Sequence, residues 1–156
     1  MLAPVSSGDP RVAPNNMEAE QSTLGGMLLS QEAVADVLEV VSGVDFYAPK
    51  HELIFNAVVT LFGRGEPTDV IAVTDYLNKE GNLLKAGGAD YLHSLTSFVP
   101  TAANASYYGK IVADKAILRR LIDAGTRIAQ SGYESQGEVE DLVNQAQSEI
   151  FQVATQ

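Results

Sequence analysis

An all-α fold is predicted for this chain by three observations. Large apolar side chains recur at spacings of three and four residues from Met17 onward, which places them on one stripe of a helix. No segment alternates apolar and polar residues as a half-buried strand would, and no Asn-Gly or Asp-Gly pair offers a hairpin turn. The last third carries two long amphipathic patterns separated by a short turn. Together these predict a compact bundle of about five short helices followed by a long C-terminal helical hairpin.

Residues 1–14 hold Pro4, Pro10 and Pro14, Gly8 and two serines with almost no periodicity, and read as a flexible tail. A helical head is expected over residues 15–100. Asn15 followed by Glu18 resembles a capping box and opens a helix with Met17, Leu24, Met27 and Leu28 inward. Gly25-Gly26 inside that helix costs about 1 kcal/mol per residue relative to alanine, which close approach of another helix would explain. Ser30 can cap a second helix with Val34, Val37, Leu38 and Val41 inward, ended by Gly43. Pro49 sits where a first-turn proline belongs, ahead of Leu53, Ile54, Val58, Leu61 and Phe62, with Gly63 just past the helix end. After the Gly65-Glu66-Pro67 turn, Thr68 or Asp69 caps a fourth helix through Val70, Val73 and Leu77, closed by Gly81. Residues 82–86 form a loop. Gly87-Gly88 introduces a short helix with Tyr91, Leu92 and Leu95, and Pro100 ends it.

The hairpin is expected over residues 101–156. Its first pattern runs from about Asn104 to Gln130 with Tyr107, Ile111, Leu118, Leu121, Ile122 and Ile128. Its second runs from about Gly137 to Val153 with Val139, Leu142, Val143, Ala146, Ile150 and Val153. At about 1.5 Å per residue the first helix spans roughly 40 Å. A globule built from the preceding hundred residues is only about 26 Å across. A hairpin of that length cannot bury its whole apolar stripe against its own domain, so a partner is expected.

Composition narrows the function classes. The 46% apolar fraction and 11 aromatic residues (6 Tyr, 5 Phe) are enough to build a core. No apolar run approaches the ~18 residues that span a bilayer, and the N-terminus lacks the order of a signal peptide. The chain has no cysteine, which removes disulfides and thiolate metal sites and fits the cytoplasm. With a net charge of −10 and scattered basic residues, little or no nucleic-acid binding is expected of the chain alone. An acidic balance fits solubility or a basic protein partner better.

No catalytic or ligand-binding motif is complete in the sequence. His51-Glu52 begins like the zinc-protease pattern H-E-x-x-H, but Phe55 holds the second ligand position. His51 reads as a first-turn surface or half-buried residue, and His93 is not read as catalytic. Gly109-Lys110 is followed by Ile111 rather than Ser or Thr, inside a helical run, so no phosphate-binding loop is present. Glu138, Glu140 and Asp141 fall in the first turn of the last helix, where the macrodipole favours negative charge. No catalytic, cofactor-binding or metal-binding residue is predicted, and the chain is not expected to be an enzyme by itself.

Several blocks carry a family resemblance. The run from Met17 to Leu29, with Ala19-Glu20-Gln21, Leu24-Gly25 and Leu28, resembles the A-E-Q-x-x-L-G-x-x-L opening of the N-terminal domain of DnaB-type bacterial replicative DNA helicases. Phe46-Tyr47, His51, Ile54 and Phe55 look like that family's F-Y-x-x-x-H-x-x-I-F. Gly65-Glu66-Pro67-Thr68-Asp69 is similar to its G-x-P-x-D turn. Gly87-Gly88, Tyr91-Leu92 and Leu95 resemble G-G-x-x-Y-L-x-x-L. Pro100 to Asn104, Tyr107-Tyr108, Ile111-Val112 and Lys115 to Ile122 look like P-T-A-A-N-x-x-Y-Y-x-x-I-V-x-x-K-x-x-L-R-R-L-I. The blocks stand in the family's order and cover residues 15–156.

The resemblance implies a non-catalytic collar domain. Family members continue into a RecA-like ATPase domain with a Walker A lysine. None of that is present in this sequence, so ATP and Mg would belong to the parent helicase rather than to this piece. The implied partners are a second copy, three such pairs forming a hexamer, then primase and a helicase loader. The dimer seam is expected at Ile111, Leu118, Leu121, Val139, Leu142, Val143, Ala146 and Ile150, some of which only join the two helices of one hairpin. The resemblance places primase contact at Glu18, Tyr91, Ile122 and Ile128. The competing reading is an unrelated helical adaptor that dimerises and binds a different protein.

Overall fold

The computed structural model describes residues 12–99 and 101–155, whose long elements are all α-helices. Most of the expected tail and the Pro100 stop lie outside the described residues. Helix α1 (Met17–Leu29) is opened by Asn16, whose backbone is extended and whose Oδ1 accepts from the Ala19 amide at 2.9 Å. The cap is therefore one residue later than expected. With Ala19 at the third helical position, the Asn15–Glu18 box does not form, and Glu18 is exposed. Ala19, Glu20 and every residue from Thr23 to Leu28 are buried. So α1 has almost no polar face and runs through the middle of the bundle, against α2 (Gln31–Leu38), α3 (Pro49–Gly63) and α5 (Gly88–Leu95). The paired glycines are where the neighbours come closest. A Cβ on Gly25 would collide with the Leu95 carbonyl oxygen, and one on Gly26 would lie 2.6 Å from the Ala105 Cβ.

Capping chemistry sets most of the remaining boundaries. Ser30 Oγ accepts from the Ala33 amide and starts α2. Ala33, Val34 and Val37 already fill its inward stripe, so Leu38, one position further round, is exposed rather than inward as expected. Gly43 does not end α2 but begins a 3₁₀ turn, Gly43–Asp45, in which Asp45 Oδ2 accepts from the Ser42 amide at 2.9 Å. Pro49 is the first residue of α3. Gly63 is the last residue of α3 rather than the first beyond it, and Arg64 is its C-cap. Asp69, not Thr68, caps α4 (Val70–Lys79): its Oδ1 accepts from the Ala72 amide at 2.9 Å, while Thr68 is buried. Gly87 precedes α5 at φ +105, a left-handed conformation that costs glycine nothing. Leu24, Met27, Val34, Val37, Ile54, Val58, Val73, Leu77, Leu92 and Leu95 form the centre of the core.

Helix α6 (Ala105–Glu134) and helix α7 (Val139–Val153) complete the chain. The structure divides into two compact units, Asn15–Lys115 and, among the described residues, 12–14 with 116–155. The sequence reading places the head–hairpin boundary at 100/101, whereas the compact head continues through the first turns of α6. The reason is side-chain size. Ala105 and Val112 join the head core, and a Cβ on Gly109 would sit 3.2 Å from Val40 Cγ2. Small residues make this face, so a search for large apolar side chains passes over it. Tyr107, expected on the stripe, points away from it and is exposed. Between α6 and α7 the chain turns through Ser135 at φ +52 and Gly137 at φ +103, so the last helix begins after Gly137 and not at it.

Candidate functional site

In the hairpin unit, α7 lies antiparallel to the later part of α6. Arg120 Nε donates to the Val153 carbonyl at 2.9 Å, and Arg127 grips the Glu149 carboxylate through Nε and Nη2 at 2.8–3.1 Å. The hydrogen bond from Arg127 holds the Glu149 carboxyl below the usual carboxylate range, and the same bond raises the Arg127 guanidinium. Glu149 and Val153 share one stripe of α7 with Leu142 and Ala146, which are half-buried; this stripe faces α6. The space near these pairs is polar, a cleft of about 160 Å³ lined by Arg120, Asp123, Arg127, Glu149, Gln152 and Val153.

A second set of apolar side chains lies beside that seam and has no cover among the described residues. Their exposed fractions are Leu118 42%, Leu121 46%, Ile122 52%, Val139 75%, Val143 51% and Ile150 50%. Apolar side chains exposed by 42% to 75% along two adjacent helices make a patch unusual for a monomer. Leu118 and Ile122 stand one turn apart on α6, and Val139, Val143 and Ile150 follow a single line along α7. Of the expected seam, Leu118, Leu121, Val139, Val143 and Ile150 are thus available to a partner, while Leu142 and Ala146 belong to the inner seam. Ile111 sits in the other unit, packed partly against the head core.

The head holds a buried polar cluster. Glu20 on α1 is 1% exposed and His51 on α3 is 0% exposed, which corrects the expected surface or half-buried placement of His51. Glu20 accepts from the Tyr47 amide at 2.7 Å and the Ala48 amide at 3.3 Å, and its Oε1 lies 2.7 Å from His51 Nδ1. Nδ1–H therefore donates to the carboxylate, and Nε2 accepts from the Tyr91 hydroxyl at 2.5 Å. Gln21 Nε2 donates to the same hydroxyl at 3.3 Å, and Lys50 Nζ stands 3.9 Å above the Tyr91 ring. The cluster ties α1, the turn before α3, α3 itself and α5 into one piece. Every polar atom named is partnered, so it serves as a fastening rather than an open site. A signal for it exists in the sequence. Glu20 falls on the inward stripe of α1 between Met17 and Leu24, and His51 falls on that of α3, ahead of Ile54 and Phe55.

The four residues expected at a primase surface separate into two pairs. Glu18 is exposed on the first turn of α1, one turn before the Gln21 that bonds Tyr91, so Glu18 and Tyr91 share a neighbourhood in the head. Tyr91 is half-buried with its hydroxyl engaged. On α6, Ile122 is exposed and Ile128 half-buried, and their six-residue spacing puts them on different faces. Among the described residues no group of three or more His, Cys, Asp or Glu side chains could hold a metal ion, and no helix is long and apolar enough to cross a membrane.

A head of five helices fastened by a buried Glu–His–Tyr cluster, followed by a helical hairpin with an exposed apolar face, defines an all-helical module. The chain belongs to the DnaB-like helicase N-terminal domain family, whose model matches residues 12–114. It is 65% identical over 143 residues to the replicative DNA helicase DnaB of Leifsonia xyli, a match covering 92% of this chain and 31% of that protein. It is 52% identical over 153 residues to the DnaB of Mycobacterium leprae, covering 97% of this chain and 25% of the relative. The chain thus spans about a quarter to a third of the length of these relatives. A crystal structure of the N-terminal domain of DnaB helicase from Mycobacterium tuberculosis shares the fold with a TM-score of 0.84 and 52% identity, over 89% of this chain and 98% of that one. The all-helical fold and the family expected from the sequence are both borne out.

Proposed function

We propose that this chain is the collar domain of a replicative DNA helicase, pairing with a second copy through its hairpin and helping to present a surface for primase during DNA replication. The observation that carries the reading is the uncovered apolar face shared by α6 and α7. A two-fold pairing of hairpins buries the same patch twice and converts two half-covered helix pairs into a four-helix arrangement. Leu118, Leu121, Val139, Val143 and Ile150 form the proposed seam, and three such pairs make the proposed hexamer. Ile122 and Glu18 are the most accessible of the primase-contact candidates, with Tyr91 and Ile128 at their margins. ATP and Mg chemistry is assigned to the parts of a replicative helicase that this sequence does not include, and the cytoplasm to the whole assembly.

Sedimentation of the chain across a hundredfold concentration range tests the pairing, and a dimer mass at the upper end is the expected result. Mixing with primase on a sizing column tests the second half. Co-elution that Ile122→Asp abolishes supports it, and independent elution of the two proteins counts against it.

A further inference from the structure

We propose that α7 becomes ordered only as the second copy closes over it, so that hairpin folding and pairing are one event; this rests on the dimer reading above. Three observations point to it. First, α7 gains little from its own chain. Val153 is its only buried residue among those described, while Val139, Val143, Ile150 and Phe151 are exposed. Second, its beginning is weakly held. Glu138 stands at the N-cap without a capping side-chain bond, and the preceding turn needs Ser135 and Gly137 in left-handed conformations. Third, the arginine bonds from α6 reach α7 at Glu149 and Val153, close to its C-terminal end, which leaves the stretch from Val139 to Ser148 to side-chain packing.

A 15-residue helix is marginal in water by its own propensity, and four of these positions are β-branched. Packing of the exposed stripe against a partner supplies what the chain lacks. The ordering cost then appears in the affinity, because the measured dissociation constant is weakened by the small fraction of chains whose α7 is already docked. Such coupling lets the head stay folded at all concentrations while the hairpin responds to the supply of partners.

The experiment combines hydrogen exchange with two kinds of variant in the full chain. In dimeric wild type, α7 amides are protected; in monomeric Leu118→Asp they exchange close to the rate of unstructured chain, with the head amides unchanged. Asn144 and Ser148 are exposed on α7, off both the seam and the outer stripe. Asn144→Ala with Ser148→Ala raises helix propensity without touching the interface, and tightens pairing at least about fivefold if docking is coupled. A dimeric wild type whose Leu118→Asp monomer keeps α7 protected, or whose alanine pair leaves the dissociation constant unchanged, overturns the coupling and leaves the dimer reading intact. A wild type that stays monomeric at every concentration overturns both.

Discussion

The head and the hairpin are built from the same kind of amphipathic helix, yet they close their apolar faces differently. In the unit Asn15–Lys115 the apolar stripes of five helices meet one another, and side chains such as Leu24, Met27, Ile54, Leu92 and Leu95 lose essentially all contact with water. Among the described residues from 116 onward only Ala116, Ala124 and Val153 are buried apolar side chains, while the larger Leu118, Leu121, Ile122, Val143 and Ile150 remain exposed. The head is a self-sufficient core. The hairpin leaves an apolar face in water, which the proposed pairing would cover. Stability should therefore be lost from the head by single changes inside it, and lost from the hairpin by anything that denies it a partner.

The largest effect is expected at Glu20. Glu20→Ala leaves the His51 Nδ1–H and the Tyr47 and Ala48 amides without their acceptor in a buried site, which costs about 3 kcal/mol or more at about 1–3 kcal/mol for each unsatisfied donor. Urea unfolding followed by far-UV circular dichroism would show most of the head's stability gone; a loss below about 1 kcal/mol would mean the cluster fastens nothing. Next comes Gly25→Ala, where a methyl group meets the Leu95 carbonyl and α5 must move. Overpacking of this kind costs about 1–3 kcal/mol, enough to outweigh alanine's gain in helix propensity. An unchanged urea midpoint would show that the two helices are less closely packed than the structure has them.

Much of the fold is legible in the sequence, and the misses share a physical cause. Ser30, Pro49, Asp69, Gly81 and Gly87 mark element ends through local chemistry that acts over three or four residues, so they can be read directly. Asn15 and Asn16 carry the same side chain, and only the extended backbone at Asn16 decides which one caps α1. The head-facing side of α6 carries no large apolar signal, because Ala105 and Gly109 pack closely through their smallness. The burial of His51 is not legible locally, because its partner, Glu20, is 31 residues away. Periodicity shows that each faces inward but not that they meet. For the hairpin the reverse holds: the sequence shows an apolar excess, and the structure then divides it into an inner seam with Leu142 and Ala146 and an outer face with Val139, Val143 and Ile150.

The smallest expected effect belongs to the Arg127–Glu149 pair. Because Glu149's carboxyl is held below its ordinary range, the pair's contribution is present at neutral pH and is lost as pH falls through the folded-state value, below the usual carboxylate titration near about 4.3. Arg127 stays charged throughout. Glu149→Gln removes this acid sensitivity from hairpin protection while leaving the head's pH profile as it was; an equal loss of protection in both units would contradict the separation. Both side chains reach solvent, so salt should weaken the pair as well.

Sedimentation velocity of Leu118→Asp, with a urea melt of the same sample, tests the contrast between the two regions most directly. Leu118 stands on the hairpin's uncovered face and outside the head core. The expected result is a monomer at concentrations where the wild type is dimeric, with the head unfolding at the wild-type midpoint. A variant that still sediments as a dimer would contradict the account, and so would one whose head melts early.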